Sequence, residues 1–257
     1  MKYLAIIPAR YASTRFPGKP LAMLGDTEVI NHVWRRVERA GVPAVVATDD
    51  ERILRCVTGA GGRAVMTRSD HCCGTDRLVE AVTALDTDAD VIINVQGDEP
   101  FIHPEQILAL RGIFENAPET MIATLARPYP EDAPADALLD PNLVKVVTDG
   151  AGLALYFSRL PIPFLRGVPE QEWPRRHRYL THIGVYAYRR EILLSLPSLP
   201  PSPLEQAESL EQLRWLQAGL GIAVAESTHP TVGIDTPADL ERARDFLNNN
   251  CLNDIAL

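Results

Sequence analysis

Two clusters of residues have the types and spacing to handle a phosphorylated ligand. The first is the loop ARYASTRFPGKP, which carries Arg10, Arg15 and Lys19 with the hydroxyls of Ser13 and Thr14. Cations in a glycine-containing loop can neutralise a polyphosphate while backbone N–H groups cradle it. The same composition also suits a solvated basic turn. The second cluster is NVQGDEP, where Asp98 follows an apolar run. Mg²⁺ on a nucleotide takes one or two protein carboxylates, with phosphate oxygens and water completing its shell. Asp98 is placed for that, and equally for a turn beside Gly97. Asp235, in VGIDTP, reads as an N-terminal capping carboxylate or as a second metal carboxylate. Two such groups converging on one metal would fit nucleotidyl transfer.

Other motifs are weaker. His182, Gly184 and Tyr186 alternate in HIGVYAY, which puts them on one face of a strand. That face is a substrate wall or only a packed sheet surface. His71, Cys72 and Cys73 match no common zinc spacing. The sequence has neither a G-x-x-x-x-G-K-[ST] loop nor a G-x-G-x-x-G fingerprint. Gly59, Gly61 and Gly62 follow a helical pattern and read as its stop.

The elements that must hold these groups follow from periodicity. Apolar runs at 2–7, 44–48, 64–67 and 90–95 predict buried strands. Between them, stripes at helical spacing predict three helices, the first capped by Thr27 and stopped at Gly41, the second capped by Asp49 or Asp50. Strands alternating with helices imply βαβ units and a parallel sheet, half of a doubly wound α/β fold. In such sheets ligands bind beyond the carboxyl ends of the strands, where both clusters lie. Pro104 opens a further helix, 121–126 is a strand, and 127–142 is a Pro- and Asp-rich surface excursion. LVKVVTD and LALYFSR, with Asp149-Gly150 between them, predict a β-hairpin. An irregular stretch follows over 160–178, then a strand at 182–189, a helix at 204–218, the strand GIAVAES, and a last helix with Pro237 at its first position. The loss of simple alternation after about residue 120 predicts a mixed sheet with an inserted subdomain.

The 257 residues include 25 Lys plus Arg and 34 Asp plus Glu, a formal charge of −9. That excludes a general nucleic-acid-coating surface but not a local anion site. No apolar stretch is long enough for a membrane helix, and Pro8 and Arg10 interrupt the N-terminal run too early for a signal peptide. Four cysteines without a paired framework read as reduced thiols.

IIPARYASTRFPGKPL, TRSDHCCGTDRLVE, VINVQGDEPFI, PNLVKVV, ALYFSR, HIGVYAYR, SPLEQAESLEQLR and GIDTPADLERAR occur in this order. Together they strongly resemble the 3-deoxy-manno-octulosonate (KDO) cytidylyltransferases, from Lys2 to about Phe246. The resemblance implies a Rossmann-like, three-layer αβα nucleotide-diphospho-sugar transferase fold with a mixed central sheet and a small projecting dimerisation subdomain. It implies one domain over 1–247, with about 153–190 contributing to the dimer, and a flexible tail over 248–257. It further implies a cytoplasmic, Mg²⁺-dependent homodimer that binds neither nucleic acid nor membrane. Such an enzyme couples CTP to KDO, giving CMP-KDO and pyrophosphate for lipopolysaccharide synthesis.

By position, the resemblance makes Arg10 and Lys19 triphosphate clamps, with Ser13 and Arg15 as helpers. Gly74, Thr75 and Arg77 resemble the cytidine side, and Gln96 the nucleotide–sugar junction. Asp98 and Asp235 resemble the metal carboxylates, and with Arg10 and Lys19 they form the expected catalytic set. Arg159, His182, Tyr186, Glu208 and Gln212 resemble residues around the sugar acid. The implied reaction is a single in-line displacement: the anomeric hydroxyl attacks the α-phosphorus and pyrophosphate leaves, without a covalent enzyme intermediate. Two positions depart from the family pattern. Cys73 stands where Ser is common, and Thr181 stands where a basic residue often precedes His182. A cytidylyltransferase for a related acid sugar (8-amino KDO or a sialic acid) and a silent nucleotide-binding domain are the alternatives.

Overall fold

The computed structural model describes residues 1–71 and 73–250. These divide into two units, one built from residues 1–108 and from 230 onward, the other from 109–229. Residues 153–190 fall in the second.

In the first unit the apolar runs form β1 (Tyr3–Ala9), β4 (Ala44–Thr48), β5 (Arg63–Met66) and β6 (Val91–Asn94), with a two-residue ribbon of β2 (Met23–Leu24) and β3 (Thr27–Glu28). β1 lies between β6 and β4, and β5 pairs with β4, all in parallel. β4 and β6 are buried at every position, as expected of strands covered on both faces. Helices α1 (Val29–Arg39), α2 (Glu51–Gly59) and α3 (Gly74–Leu85) make the crossovers. Asp50 caps α2 as expected, accepting from the Arg52 N–H at 2.9 Å. Thr27 does not cap α1: it pairs with Leu24 in the ribbon, and Glu28 takes the cap position.

The chain passes from the first unit to the second within α4 (Pro104–Asn116). The second unit carries β7 (Ile122–Pro128), β8 (Lys145–Thr148), β9 (Ala154–Ser158), β10 (Leu180–Arg189) and β11 (Ile222–Glu226). β7 pairs in parallel with β11 and antiparallel with β10, while β8 runs antiparallel to both β10 and β9. The mixed pairing expected after residue 120 is therefore present.

Three local expectations change. The β8–β9 connection is not a two-residue Asp-Gly turn, because Asp149 Oδ1 accepts from the Ala151 and Leu153 N–H groups and gathers a longer loop. Gly152, not Gly150, takes the left-handed conformation there, at φ 80°. The helix expected over 204–218 is two, Pro203–Glu208 and Gln212–Gln217, broken where Ser209 turns left-handed at φ 51°. The 127–142 excursion is only partly superficial, since Leu138 is buried against Tyr129, Trp173 and Tyr179.

The last helix runs Pro237–Asn250 and so takes in the first residues of the expected tail. Cys72, Cys251 and the rest of the tail lie outside the described residues. Neither Cys56 nor Cys73 is in a disulfide, and burial pushes the Cys56 thiol up to about 11. Among the described residues no helix is long and apolar enough to cross a membrane.

Candidate active site

The first unit places its chemistry where β1 and β6 end. The segment after β1 supplies Arg10, Ser13, Arg15 and Lys19, and the turn after β6 supplies Gln96 and Asp98. The start of α3 adds Gly74 and Arg77. All of these, with Asp235, line one cavity of about 390 Å³. Thr75 is buried in α3 and does not line it.

Asp98 and Asp235 are distant in sequence and adjacent in space for a local reason. The Ile234 N–H donates to the Asp98 carbonyl at 2.9 Å, docking the segment before the last helix on the 96–99 turn. Gly97 makes that turn possible: a Cβ there would sit 2.7 Å from the Pro8 carbonyl oxygen, inside any ordinary contact. Capping does not occupy Asp235. Asp239 Oδ2 accepts from the Asp235 N–H at 3.0 Å and the Thr236 N–H at 2.8 Å. The Thr236 hydroxyl accepts from the Asp239 N–H at 3.3 Å. With the cap complete, the Asp235 carboxylate faces the cations of the loop.

Those cations hold the two carboxylates together. Lys19 Nζ donates to Asp98 Oδ2 at 2.6 Å and to Asp235 Oδ1 at 3.3 Å, and Arg15 lies 3.1 Å from the same Asp235 oxygen. The Lys19 side chain is 12% exposed, so the bridge is largely shielded. One cation sits between two carboxylates that aim at a common point. This donor set, one oxygen from each carboxylate beside a cationic loop, fits a hard divalent ion.

Two further groups at the site had no strong sequence signal. Glu99 is buried beside the carboxylate pair, and burial, with the charges of Asp98 and Asp235, pushes it up to about 8. It is therefore protonated at neutral pH and adds no third negative charge. His71 lines the cavity with its Nε2 held by the Glu80 carboxylate. Arg77, which lines the cavity, has its buried guanidinium fixed by Asp49 at 2.9 Å and Thr67 Oγ1 at 2.5 Å. Cys73 occupies the α3 N-cap position, and its thiol makes no capping hydrogen bond.

The second unit holds the residues expected around the sugar acid. A bulge in β10 shifts the register against β7 between Ile183 and Tyr186. Thr124 Oγ1 sits in it, 2.8 Å from the Val185 carbonyl oxygen and 3.0 Å from His182 Nε2. A regular strand would separate positions 182 and 186 by about 13 Å. Beside the bulge their rings lie 5.3 Å apart between centroids. Desolvation lowers His182 to about 3, so its imidazole is neutral. With the Thr124 hydroxyl donating to a carbonyl, Nε2–H is the donor to Thr124. Gln212 is buried nearby in sequence to Trp215, whose ring meets Tyr186 edge-on at 5.2 Å.

Arg159 and Glu208 are engaged with each other's backbone. The Glu208 carboxylate accepts from Ser158 Oγ at 3.0 Å and the Arg159 N–H at 2.9 Å. The Arg159 guanidinium donates to the carbonyls of Glu208, Pro141 and Ser209 at 2.6, 2.9 and 3.2 Å. It thereby satisfies the carbonyl end of a helix that Ser209 terminates. Thr181, the departure beside His182, donates to the Arg127 carbonyl at 3.0 Å.

A cytidylyltransferase family model matches residues 4–224. The chain is 53% identical to the 3-deoxy-manno-octulosonate cytidylyltransferase of Bacteroides thetaiotaomicron, over 97% of this chain and 99% of that protein. The chain belongs to the 3-deoxy-manno-octulosonate cytidylyltransferase family. A Myxococcus xanthus member is 48% identical over 93% of this chain and 94% of its own length. A solved member, CMP:2-keto-3-deoxy-manno-octonic acid synthetase complexed with CTP, superposes with a TM-score of 0.89 at 44% identity, covering 97% of this chain and 99% of that one. A putative glucose-1-phosphate thymidylyltransferase from Bacillus anthracis shares the fold alone, with a TM-score of 0.66 at 15% identity and 98% of each chain covered.

Proposed function

We propose that this chain transfers the cytidylyl group of CTP to KDO, releasing pyrophosphate and forming CMP-KDO. The observation that carries the reading is the pair Asp98 and Asp235 bridged by Lys19, with Arg15 also on Asp235, at the foot of the Arg10–Lys19 loop. Polyphosphate charge would be met by Arg10, Arg15 and Lys19, with Arg77 lining the same cavity. Asp98 and Asp235 would hold Mg²⁺, which when bound supplies Lewis acidity toward the attacking hydroxyl and the α-phosphate. Because the leaving group is highly charged, stabilising it by fixed cations accounts for much of the acceleration. Positioning the two substrates in line supplies the rest, and no protein nucleophile is needed.

In the second unit, His182, Tyr186 and Gln212 are the sugar-acid contacts we favour. A neutral His182 acts there through hydrogen bonding and shape, not as a counter-charge to the sugar carboxylate. Arg159 and Glu208 would act by fixing the turn before Gln212.

The resemblance also underlies a role in cytoplasmic lipopolysaccharide synthesis as a homodimer. Leu155, Leu160 and Phe164, at 62%, 68% and 70% exposed, supply an apolar stretch suited to self-association. Phe164→Glu would turn a dimeric sedimentation profile monomeric, and an unchanged profile would remove that surface from consideration.

The deciding experiment is pyrophosphate release by purified protein with CTP, KDO and Mg²⁺. Single omissions, EDTA, other nucleoside triphosphates and other acid sugars serve as controls. Release requiring all three components supports the proposal. CTP binding without release on KDO, but with release on another acid sugar, would overturn the substrate assignment.

A further inference from the structure

Arg10 and Lys19 stand immediately outside a closed pair. The Gly18 N–H donates to the Tyr11 carbonyl at 2.9 Å, so residues 11–18 form a loop whose two ends touch. Gly18 is left-handed, at φ 74°, and a Cβ on it would meet the Tyr11 ring at 3.0 Å. The ring therefore rests directly on the Gly18 backbone. The guanidinium of Arg52, from the first turn of α2, also contacts this ring, 3.4 Å from its centroid. Arg52 is itself fixed by a two-point contact with Asp50, Nε to Oδ1 at 2.9 Å and Nη2 to Oδ2 at 2.6 Å. Asp50 also caps α2, so the far end of the clip is built into the scaffold.

We propose that Tyr11, Arg52 and Asp50 form a positioning clip that sets the spacing of the two phosphate cations. The inference rests on the phosphate-loop reading and deepens it. Lys19 is separately held by Asp98 and Asp235, so without the clip the Tyr11 end is joined to Gly18 by one backbone bond and Arg10 samples a wider range of separations from Lys19. Binding a polyphosphate would then have to order the loop, which weakens affinity without removing any contact. None of the three clip residues needs to touch the nucleotide.

The test is CTP affinity and steady-state kinetics for Arg52→Met, Arg52→Lys, Tyr11→Phe and Tyr11→Leu, with Lys19→Ala alongside and melting temperatures recorded for all. Arg52→Met and Tyr11→Leu are expected to raise the CTP Kd and KM roughly three- to tenfold, with kcat changed less than about twofold. Tyr11→Phe, which keeps the ring, should recover most of the loss of Tyr11→Leu, whereas Arg52→Lys, which keeps the charge but not the planar fork on Asp50 and the ring, should recover only part. A fall in melting temperature with Kd and KM unchanged would make the clip a stability feature only and overturn the proposal. Equal losses in Tyr11→Phe and Tyr11→Leu would also overturn it, because stacking on the ring would then not be the operative contact. If Lys19→Ala binds CTP as the parent does, the phosphate-loop reading itself fails, whatever Arg52 does.

Discussion

Replacing Lys19 with Met should move two affinities in opposite directions. In the structure the Lys19 ammonium already pairs with Asp98 at 2.6 Å and Asp235 at 3.3 Å. A divalent ion seated on both carboxylates must displace it. The Asp98 contact is largely shielded and is worth about 1 kcal/mol net, whereas Asp235 is 52% exposed and its contact contributes little after screening. Methionine keeps most of the side-chain volume and removes that competition. Mn²⁺, as a spectroscopic substitute for Mg²⁺, should bind the free variant about three- to tenfold more tightly, since 1.4 kcal/mol is a factor of ten. CTP should bind more weakly, because one charge-assisted phosphate contact is lost. At about 1.5–3 kcal/mol that is roughly ten- to 150-fold. Electron paramagnetic resonance of free Mn²⁺ and calorimetry of CTP read the two independently. Weaker Mn²⁺ binding would refute the shared-site argument, because Lys19 would then be supporting the ion site and not occupying it.

Two other predictions test separate parts of the molecule. Gly97→Ala places a methyl group 2.7 Å from the Pro8 carbonyl oxygen, so the 96–99 turn must retreat by about half an ångström. The expected result is a loss of about 1–3 kcal/mol in stability together with lowered turnover, read by denaturant melts and pyrophosphate release; a variant matching the parent in both would mean the turn is pliant. For His182, the folded chain binds a proton only near pH 3, whereas an unfolded histidine does so near 6.5. The unfolded state takes up more protons in that window, so stability falls as pH drops from 6.5 toward 3. His182→Gln should flatten that part of the melting-temperature profile, and an unchanged slope would show that other groups govern it.

Much of the first unit was legible because its signals are local. The apolar runs of β1, β4 and β6 and the Asp50 cap lie where the sequence put them, since a strand buried on both faces leaves few alternatives. Arg10, Lys19 and Asp98 could be picked out by residue type alone. That Asp235 is not the cap could not be read locally, because it depends on Asp239 taking the capping bonds. Long-range contacts also defeated local reading elsewhere. Arg159 ends a helix that periodicity would continue, and Asp149 enlarges a turn that its own dipeptide suggests is tight. The β10 bulge, beside which the rings of His182 and Tyr186 lie 5.3 Å apart, is not revealed by the alternation of HIGVYAY. Arg52, Glu80 and Glu99 look like ordinary surface charges in sequence. They acquire meaning only from what they face.

The bond from the Ile234 N–H to the Asp98 carbonyl has a consequence for how the protein is made. Every other residue lining the cavity has been synthesised by residue 98, yet the carboxylate at 235 follows the whole of the second unit. During translation the first unit must wait, one carboxylate short and with its last helix missing, until the second has been synthesised. A nascent chain, or a product of termination before residue 235, accordingly lacks one wall of the cavity.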